Sequence, residues 1–90
     1  MQGVARAASL MQAIGGICGP AGADAALAAN YFKSFADAGR EAYGPEFDKV
    51  LEREIARRAA ETHAAGAEAW CAQQKRQQDR LGNEPLFAPH

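Results

Sequence analysis

The sequence predicts an all-α fold: a small three-helix bundle with a long C-terminal helix, stapled by one disulfide. Three observations support this prediction. Of the 43 apolar residues in the 90-residue chain, 22 are alanine, which favours helix. β-branched residues are few, and no segment alternates apolar and polar side chains with a period of two. Apolar residues instead recur at three- and four-residue steps in segments that glycine and proline separate.

The chain is short enough to form one domain, which we place at residues 1–82, followed by a tail over residues 83–90. A chain of this size buries only about 60–65% of its unfolded surface, and each alanine adds little to that area. The core should therefore depend on a few large side chains, packed between the second and third helices. The predicted core residues are Tyr31, Phe32, Phe35, Phe47, Leu51 and Ile55.

The first helix is predicted over residues 2–15, where Val4, Met11 and Ile14 share one face with several alanines. Residues 15–22 contain four glycines and one proline, a composition typical of a connector. This connector lacks the spacing of a Walker phosphate loop, and no Lys-Ser or Lys-Thr pair follows it, so we exclude nucleotide binding there.

The second helix is predicted over residues 25–38. Asp24 is a suitable N-cap because its carboxylate can accept a hydrogen bond from a free backbone N–H. Gly39 has the residue type preferred just after a helix C-terminus, where a left-handed conformation is common. We therefore expect a turn to begin at Gly39.

The third helix is predicted over residues 45–81, with Gly44 before it and Pro45 as its first residue. Unbroken, this helix would be about 55 Å long, whereas a compact domain of this size has a radius of gyration near 12 Å. Either the helix breaks near Gly66 or its end projects from the bundle.

Partner binding is predicted at the end of this helix. The apolar stripe ends at Trp70, and residues 72–80 are mostly polar around the whole helix. We expect the Trp70 ring to be partly exposed, and tryptophan is over-represented in binding hot spots. The predicted partner-binding residues are Trp70, Gln74, Gln77, Gln78 and Leu81. In the alternative interpretation, Trp70 closes the core against Met11 and Ile14, and the last turns fray.

The only two cysteines, Cys18 and Cys71, are 53 positions apart. This spacing excludes a Cys-x-x-Cys redox or zinc motif. An antiparallel second and third helix would place both cysteines near one end of the bundle, within the roughly 20 Å that residues 18–24 can span. We therefore predict a disulfide between them; two buried free thiols are the alternative.

Charge and hydropathy argue against nucleic-acid binding and against a membrane span. Ten basic residues against eleven acidic ones leave no basic face for nucleic acid, and no apolar run approaches the length of a membrane span. Residues 1–16 lack the pattern of an intact signal peptide. Either the protein is cytoplasmic and starts at Met1, or an export signal has been removed and Met1 is not native.

No arrangement of reactive residues predicts catalysis. The residues three and four positions before and after His63 are alanine or glycine, and His90 is the last residue. Neither serine lies in a nucleophile-elbow pattern, and Cys71 is about 12 Å along the helix from His63. We therefore expect no enzymatic activity, no metal site and no cofactor.

Three functional hypotheses follow. The first is an exported, periplasmic or secreted helical protein, stabilised by the Cys18–Cys71 disulfide, that binds a protein partner or itself. The second is a cytoplasmic accessory or structural subunit of a larger complex, with free thiols. The third is a small-molecule carrier with a pocket lined by Tyr31, Phe32, Phe35 and Trp70.

In size, helical character and its single pair of widely separated cysteines, the chain resembles the small periplasmic acid-stress chaperones. That resemblance implies a protein that exposes apolar surface on acidification. Here, carboxylates paired with Arg57 and Arg58, such as Glu54, would serve such a switch.

Overall fold

The structure, a computed structural model, describes residues 1–87. In this range the chain forms four α-helices: α1 (Gln2–Ile17), α2 (Ala25–Tyr43), α3 (Glu46–Ala65) and α4 (Ala67–Arg80). Short 3₁₀ turns at Gly19–Ala21 and Glu84–Leu86 complete the regular structure of these residues, which include no strand. The predicted all-α class is confirmed.

The core consists of two clusters, both of which receive residues from α1. The Phe47 cluster lies at one end of the bundle and comprises Ala5, Ala8, Ala36, Phe47 and Leu51. The Trp70 cluster lies at the other end and comprises Met11, Ala13, Ile14, Cys18, Ala28, Trp70, Cys71, Leu86 and Phe87. Phe32 and Phe35 pack against both clusters and connect them.

Helix α1 packs extensively against both α2 and α3, and it is the central element of the bundle. Its buried Ala5 and Ala8 have small side chains, which allow neighbouring helices to approach closely. The predicted core between α2 and α3 is therefore shared with α1. Of the predicted core residues, Phe47 and Leu51 are buried, whereas four are half-buried: Tyr31, Phe32, Phe35 and Ile55.

Helix α2 continues beyond Gly39 to Tyr43, so the predicted end at residue 38 is wrong. Gly39 is buried within the helix, and a Cβ atom at this position would overlap the ring of Phe47. Glycine is therefore needed here for close packing of α2 against the start of α3. The residue with positive φ that ends α2 is Gly44, with φ 73°, and its N–H donates to the carbonyl of Arg40. The predicted N-cap at Asp24 is present, as its carboxylate accepts the Leu27 N–H at 3.0 Å.

An ion pair spans the turn between α2 and α3. Arg40 Nε donates to Asp48 Oδ1 at 2.8 Å, and this hydrogen bond raises the pKa of Arg40. Asp37 lies one helical turn before Arg40, and its pKa is lowered chiefly by a hydrogen bond from Lys33. Both pairs are exposed to solvent, where ion pairs contribute little stability.

The long third helix is divided in two at Gly66, one of the two predicted outcomes. Gly66 has φ 85° and ψ 139°, which no helical residue adopts, and its N–H donates to the Thr62 carbonyl at the end of α3. The carbonyl of Gly66 then accepts the N–H of Trp70 in the first turn of α4. Because of this break, the described chain has a radius of gyration of 12.8 Å, and α4 packs on the bundle instead of projecting from it.

The segment after α4 packs against the helices as far as Phe87. Leu86 and Phe87 are 0% and 3% exposed and lie in the Trp70 cluster. The carbonyl of Leu86 accepts the N–H of Asp24 at 2.8 Å, which joins this segment to the start of α2. The predicted tail over residues 83–90 therefore covers the core as far as Phe87. Residues 88–90, including His90, lie outside the described range.

Substitution of alanine for Gly39, which contacts Phe47, and for Gly16, which has open space beside it, should have opposite effects on stability. Gly39→Ala places a methyl group against the Phe47 ring, and we expect it to lower the free energy of unfolding by about 1–3 kcal/mol. Gly16→Ala is the control. Gly16 lies in α1, and no packing neighbour comes within 4 Å of the position that a Cβ atom would occupy. Its substitution should therefore stabilise the protein by about 0.5–1 kcal/mol. Urea denaturation measures both, and a stabilising Gly39→Ala would contradict the packing described here.

Candidate functional site

The disulfide between Cys18 and Cys71 joins two elements that are distant in sequence. The two Sγ atoms are 2.05 Å apart, as in a bonded pair, and both residues are buried. Cys18 immediately follows α1, and Cys71 lies in the second turn of α4. The predicted pairing is confirmed. It attaches α4 to the end of α1, where α4 otherwise makes few contacts with the bundle.

Trp70 is a core residue, and the predicted partial exposure of its ring is wrong. Its side chain lies among Met11 and Ile14 in the Trp70 cluster and is only 1% exposed. The arrangement matches the alternative interpretation, in which Trp70 closes the core. The break at Gly66 is the physical reason, because it turns α4 back so that the ring faces α1.

A polar network holds Trp70 in place across this break. The indole Nε1 donates to Glu61 Oε1 at 3.1 Å, and the same carboxylate pairs with Arg58 at 3.3 Å. Thr62 donates its hydroxyl hydrogen to the Arg58 carbonyl within α3. The last turns of α3 therefore supply the hydrogen-bond acceptor that a buried indole N–H requires.

The predicted glutamine surface is divided between the interior and the solvent. Gln74 and Gln78 are each 3% exposed, because they lie one and two turns beyond Trp70 on the face of α4 that meets the domain. Gln78 Oε1 accepts a hydrogen bond from Asn83, whose Oδ1 accepts one from the hydroxyl of Tyr31. The proposal that Gln74 and Gln78 contact a partner is therefore corrected.

The other two predicted partner-binding residues are on the surface. Gln77 is exposed, and Leu81 is 71% exposed at the end of α4. They do not form one surface with Trp70 in this fold, since that ring is buried. The predicted binding residues are therefore separated in this fold, and a further apolar surface lies beside the disulfide.

A groove lies beside the disulfide, between the end of α1 and the first three turns of α4. We call it the Ile17 groove; it has a volume of about 560 Å³ and is lined by Ile17, Pro20, Ala21, Ala67, Glu68, Cys71, Ala72 and Lys75. The 3₁₀ turn at Gly19–Ala21 forms one wall and α4 the other. Two charged side chains, Glu68 and Lys75, are the exceptions in an otherwise apolar lining.

Two smaller depressions adjoin the groove and also include Ile17. One lies against Ala59, Thr62, His63 and Gly66, and the other against Gln12, Ile55 and Arg58. Apolar surface therefore continues from the groove along α3. This site was not predicted, because residues 15–22 have the composition of a simple connector. The available signal was the number of alanines in residues 59–72 that lie off the apolar stripe.

The chemistry available in the groove suits apolar contact. Its lining brings together one carboxylate and one ammonium group with small apolar side chains. Among residues 1–87, no group of three His, Cys, Asp or Glu side chains is placed to hold a metal ion. None of the helices in this range combines the length and the hydropathy that a membrane span requires.

Glu54, the carboxylate considered for an acid-sensitive switch, is buried between α1 and α3. It lies 3.7 Å from Arg6 and 3.7 Å from Arg57, while Arg58 pairs with Glu61 instead. Protonation of Glu54 would weaken a charge contact between the two helices. Exposure of apolar surface on acidification stays a prediction.

Comparisons with protein-family models, curated proteins and solved structures find no match to this chain.

The disulfide predicts two measurable properties. Protein that has not been exposed to a reductant should show no reactive thiol after unfolding. Its mass should be lower than that of the reduced chain by two hydrogens. The variant Cys18→Ala/Cys71→Ala should lose about 4 kcal/mol of unfolding free energy, since the bond closes a loop with a sequence separation of 53. Two titratable thiols per chain would contradict the bonded pair.

The burial of Trp70 predicts a large loss of stability on truncation. Trp70→Ala should cost about 3–5 kcal/mol, because it opens a cavity in the cluster and leaves Glu61 without its indole partner. Gln73→Ala is the control on the exposed face of α4 and should stay within about 0.5 kcal/mol. Urea denaturation followed by far-ultraviolet circular dichroism measures both variants. Equal free energies of unfolding for Trp70→Ala and Gln73→Ala would show that Trp70 is outside the core.

Proposed function

We propose that this chain is a small exported helical protein that binds a protein partner, or a second copy of itself, through the Ile17 groove. The observation that carries the proposal is the groove's lining. Ile17, Pro20 and Ala72 present apolar atoms at the surface, and the depression along α3 extends the same surface. Contiguous apolar surface of this kind marks interaction sites in proteins whose remaining surface is polar.

The Cys18–Cys71 disulfide supports export. Disulfides persist in oxidising compartments such as the periplasm and the extracellular space, and small proteins there depend on them for stability. The alternative of a cytoplasmic subunit requires both thiols to stay reduced. That alternative would leave α4 without its covalent attachment to the end of α1.

The arrangement of the aromatic residues favours protein binding over transport of a small molecule. Phe32 and Phe35 pack against both core clusters, and Trp70 is enclosed in one of them. The Trp70 ring is therefore fully engaged in packing, and Phe32 and Phe35 are half-buried by theirs. Small-molecule sites are usually lined by hydrophobic and aromatic side chains with a few polar groups. The Ile17 groove instead offers alanine, isoleucine and proline.

Site-specific photo-crosslinking tests this proposal. A photoreactive amino acid replaces Ala72 in the groove, and a matched variant carries it at the exposed Ala26 on α2. In cells that produce the protein, we expect protein adducts from position 72 but not from position 26. Excess unlabelled protein should suppress adducts to a different protein, whereas protein with Ala72→Arg should not; adducts to a second copy are identified by their mass. Absence of any adduct specific to position 72 would overturn the proposed role of the groove.

A further inference from the structure

We propose that the partner in the Ile17 groove is α4 of a second copy of this chain, packed antiparallel across a two-fold axis near Ala72. This inference rests on the proposed function and specifies the occupant of the same groove. The two charged residues in the groove, Glu68 and Lys75, define the register of this contact.

The two charges are placed to pair with each other in a symmetric dimer. Glu68 and Lys75 are seven residues apart, almost two helical turns, so they lie on the same face of α4. In an antiparallel pair of α4 helices centred between residues 71 and 72, Glu68 of each copy lies opposite Lys75 of the other. The two-fold axis repeats this contact, so each dimer contains two such ion pairs.

The residue nearest the axis permits close approach. Ala72 is exposed in the single chain, and it lies between Glu68 and Lys75 on the groove face of α4. Helices with small side chains at their contact can pack at the short end of the usual interaxial range, about 8 Å. The second α4 would then cover Ile17 and Pro20, which form the opposite wall of the groove.

The charges are also available for such a contact. Lys75 pairs with Asp79 at 3.1 Å on the exposed surface, and exchange of one solvated pair for another costs little. Within residues 1–87, Glu68 takes part in no salt bridge or side-chain hydrogen bond. Since α4 has only 14 residues, the interface is small, and the dimer should form in a concentration-dependent manner.

Charge reversal with sedimentation equilibrium tests the proposed register. Glu68→Lys and Lys75→Glu each place like charges opposite one another twice per dimer, so each should weaken dimerisation about tenfold or more. The double variant Glu68→Lys/Lys75→Glu restores both pairs with opposite polarity and should bring the dissociation constant back to within about threefold of the original.

Arg76→Glu is the control, since Arg76 is exposed on α4 outside the groove. It should leave dimerisation unchanged within the same limit. Urea denaturation of each variant verifies that the fold is retained.

Several results would overturn the inference. A chain that remains monomeric over the whole concentration series has no such dimer. If Arg76→Glu weakens dimerisation as much as Glu68→Lys or Lys75→Glu does, the dimer does not use this register. The same conclusion follows if the double variant fails to restore dimerisation. Adducts from position 72 to a different protein, together with a monomeric chain, would reject self-association and leave the groove's binding role intact. No adduct specific to position 72 and no dimer would reject both.

Discussion

The disulfide between Cys18 and Cys71 is the constraint on which the C-terminal part of this fold depends. Helix α4 has buried residues on one narrow face, and two of these four, Gln74 and Gln78, are polar. Its hydrophobic contribution comes chiefly from Trp70 and Cys71. A helix with so little apolar surface gains little from packing alone. The covalent bond reduces the entropy that the free chain loses when α4 docks on the end of α1.

The same bond determines what surrounds the groove. Cys18 ends α1 and begins the 3₁₀ turn that carries Pro20, while Cys71 lies on the opposite wall beside Ala72. The bond therefore holds the two walls of the Ile17 groove together. Leu86 and Phe87 lie in the same core cluster as the two cysteines, and the Leu86 carbonyl accepts the N–H of Asp24 at the start of α2. The Phe47 cluster, at the other end of α1, contains no residue from α4 or from the segment after it.

Much of the fold follows from local sequence signals. The alanine content predicts helix, Asp24 caps α2, and Gly66 supplies the positive φ at which the long helical segment breaks. The predicted end of α2 before Gly39 is wrong because glycine is common in two settings: at helix ends and at close contacts between helices. Only the position of the Phe47 ring distinguishes them. That position depends on contacts between helices, which periodicity within one helix does not specify.

The candidate site was less predictable, for a related reason. A polar helix end indicates solvent exposure, yet Gln78 is buried, because its Oε1 accepts a hydrogen bond from Asn83, whose Oδ1 accepts one from the Tyr31 hydroxyl. Tyr31 is 52 positions from Asn83, so the pattern within one helix does not reveal this network. Conversely, Ala67 and Ala72 have no distinctive chemistry in the sequence and become a surface feature only when Ile17 and Pro20 are placed beside them. The disulfide was accessible to prediction because just two cysteines are present and chain geometry allows them to meet.

Native-state amide hydrogen exchange, compared between oxidised and reduced protein, tests most directly whether the disulfide holds the C-terminal part on the bundle. The account predicts that reduction greatly lowers protection in α4 and around Leu86 and Phe87. Protection around the Phe47 cluster, in the first half of α1 and the middle of α2, should fall much less. Equal loss of protection throughout the chain, or unchanged protection of α4 after reduction, would contradict this account.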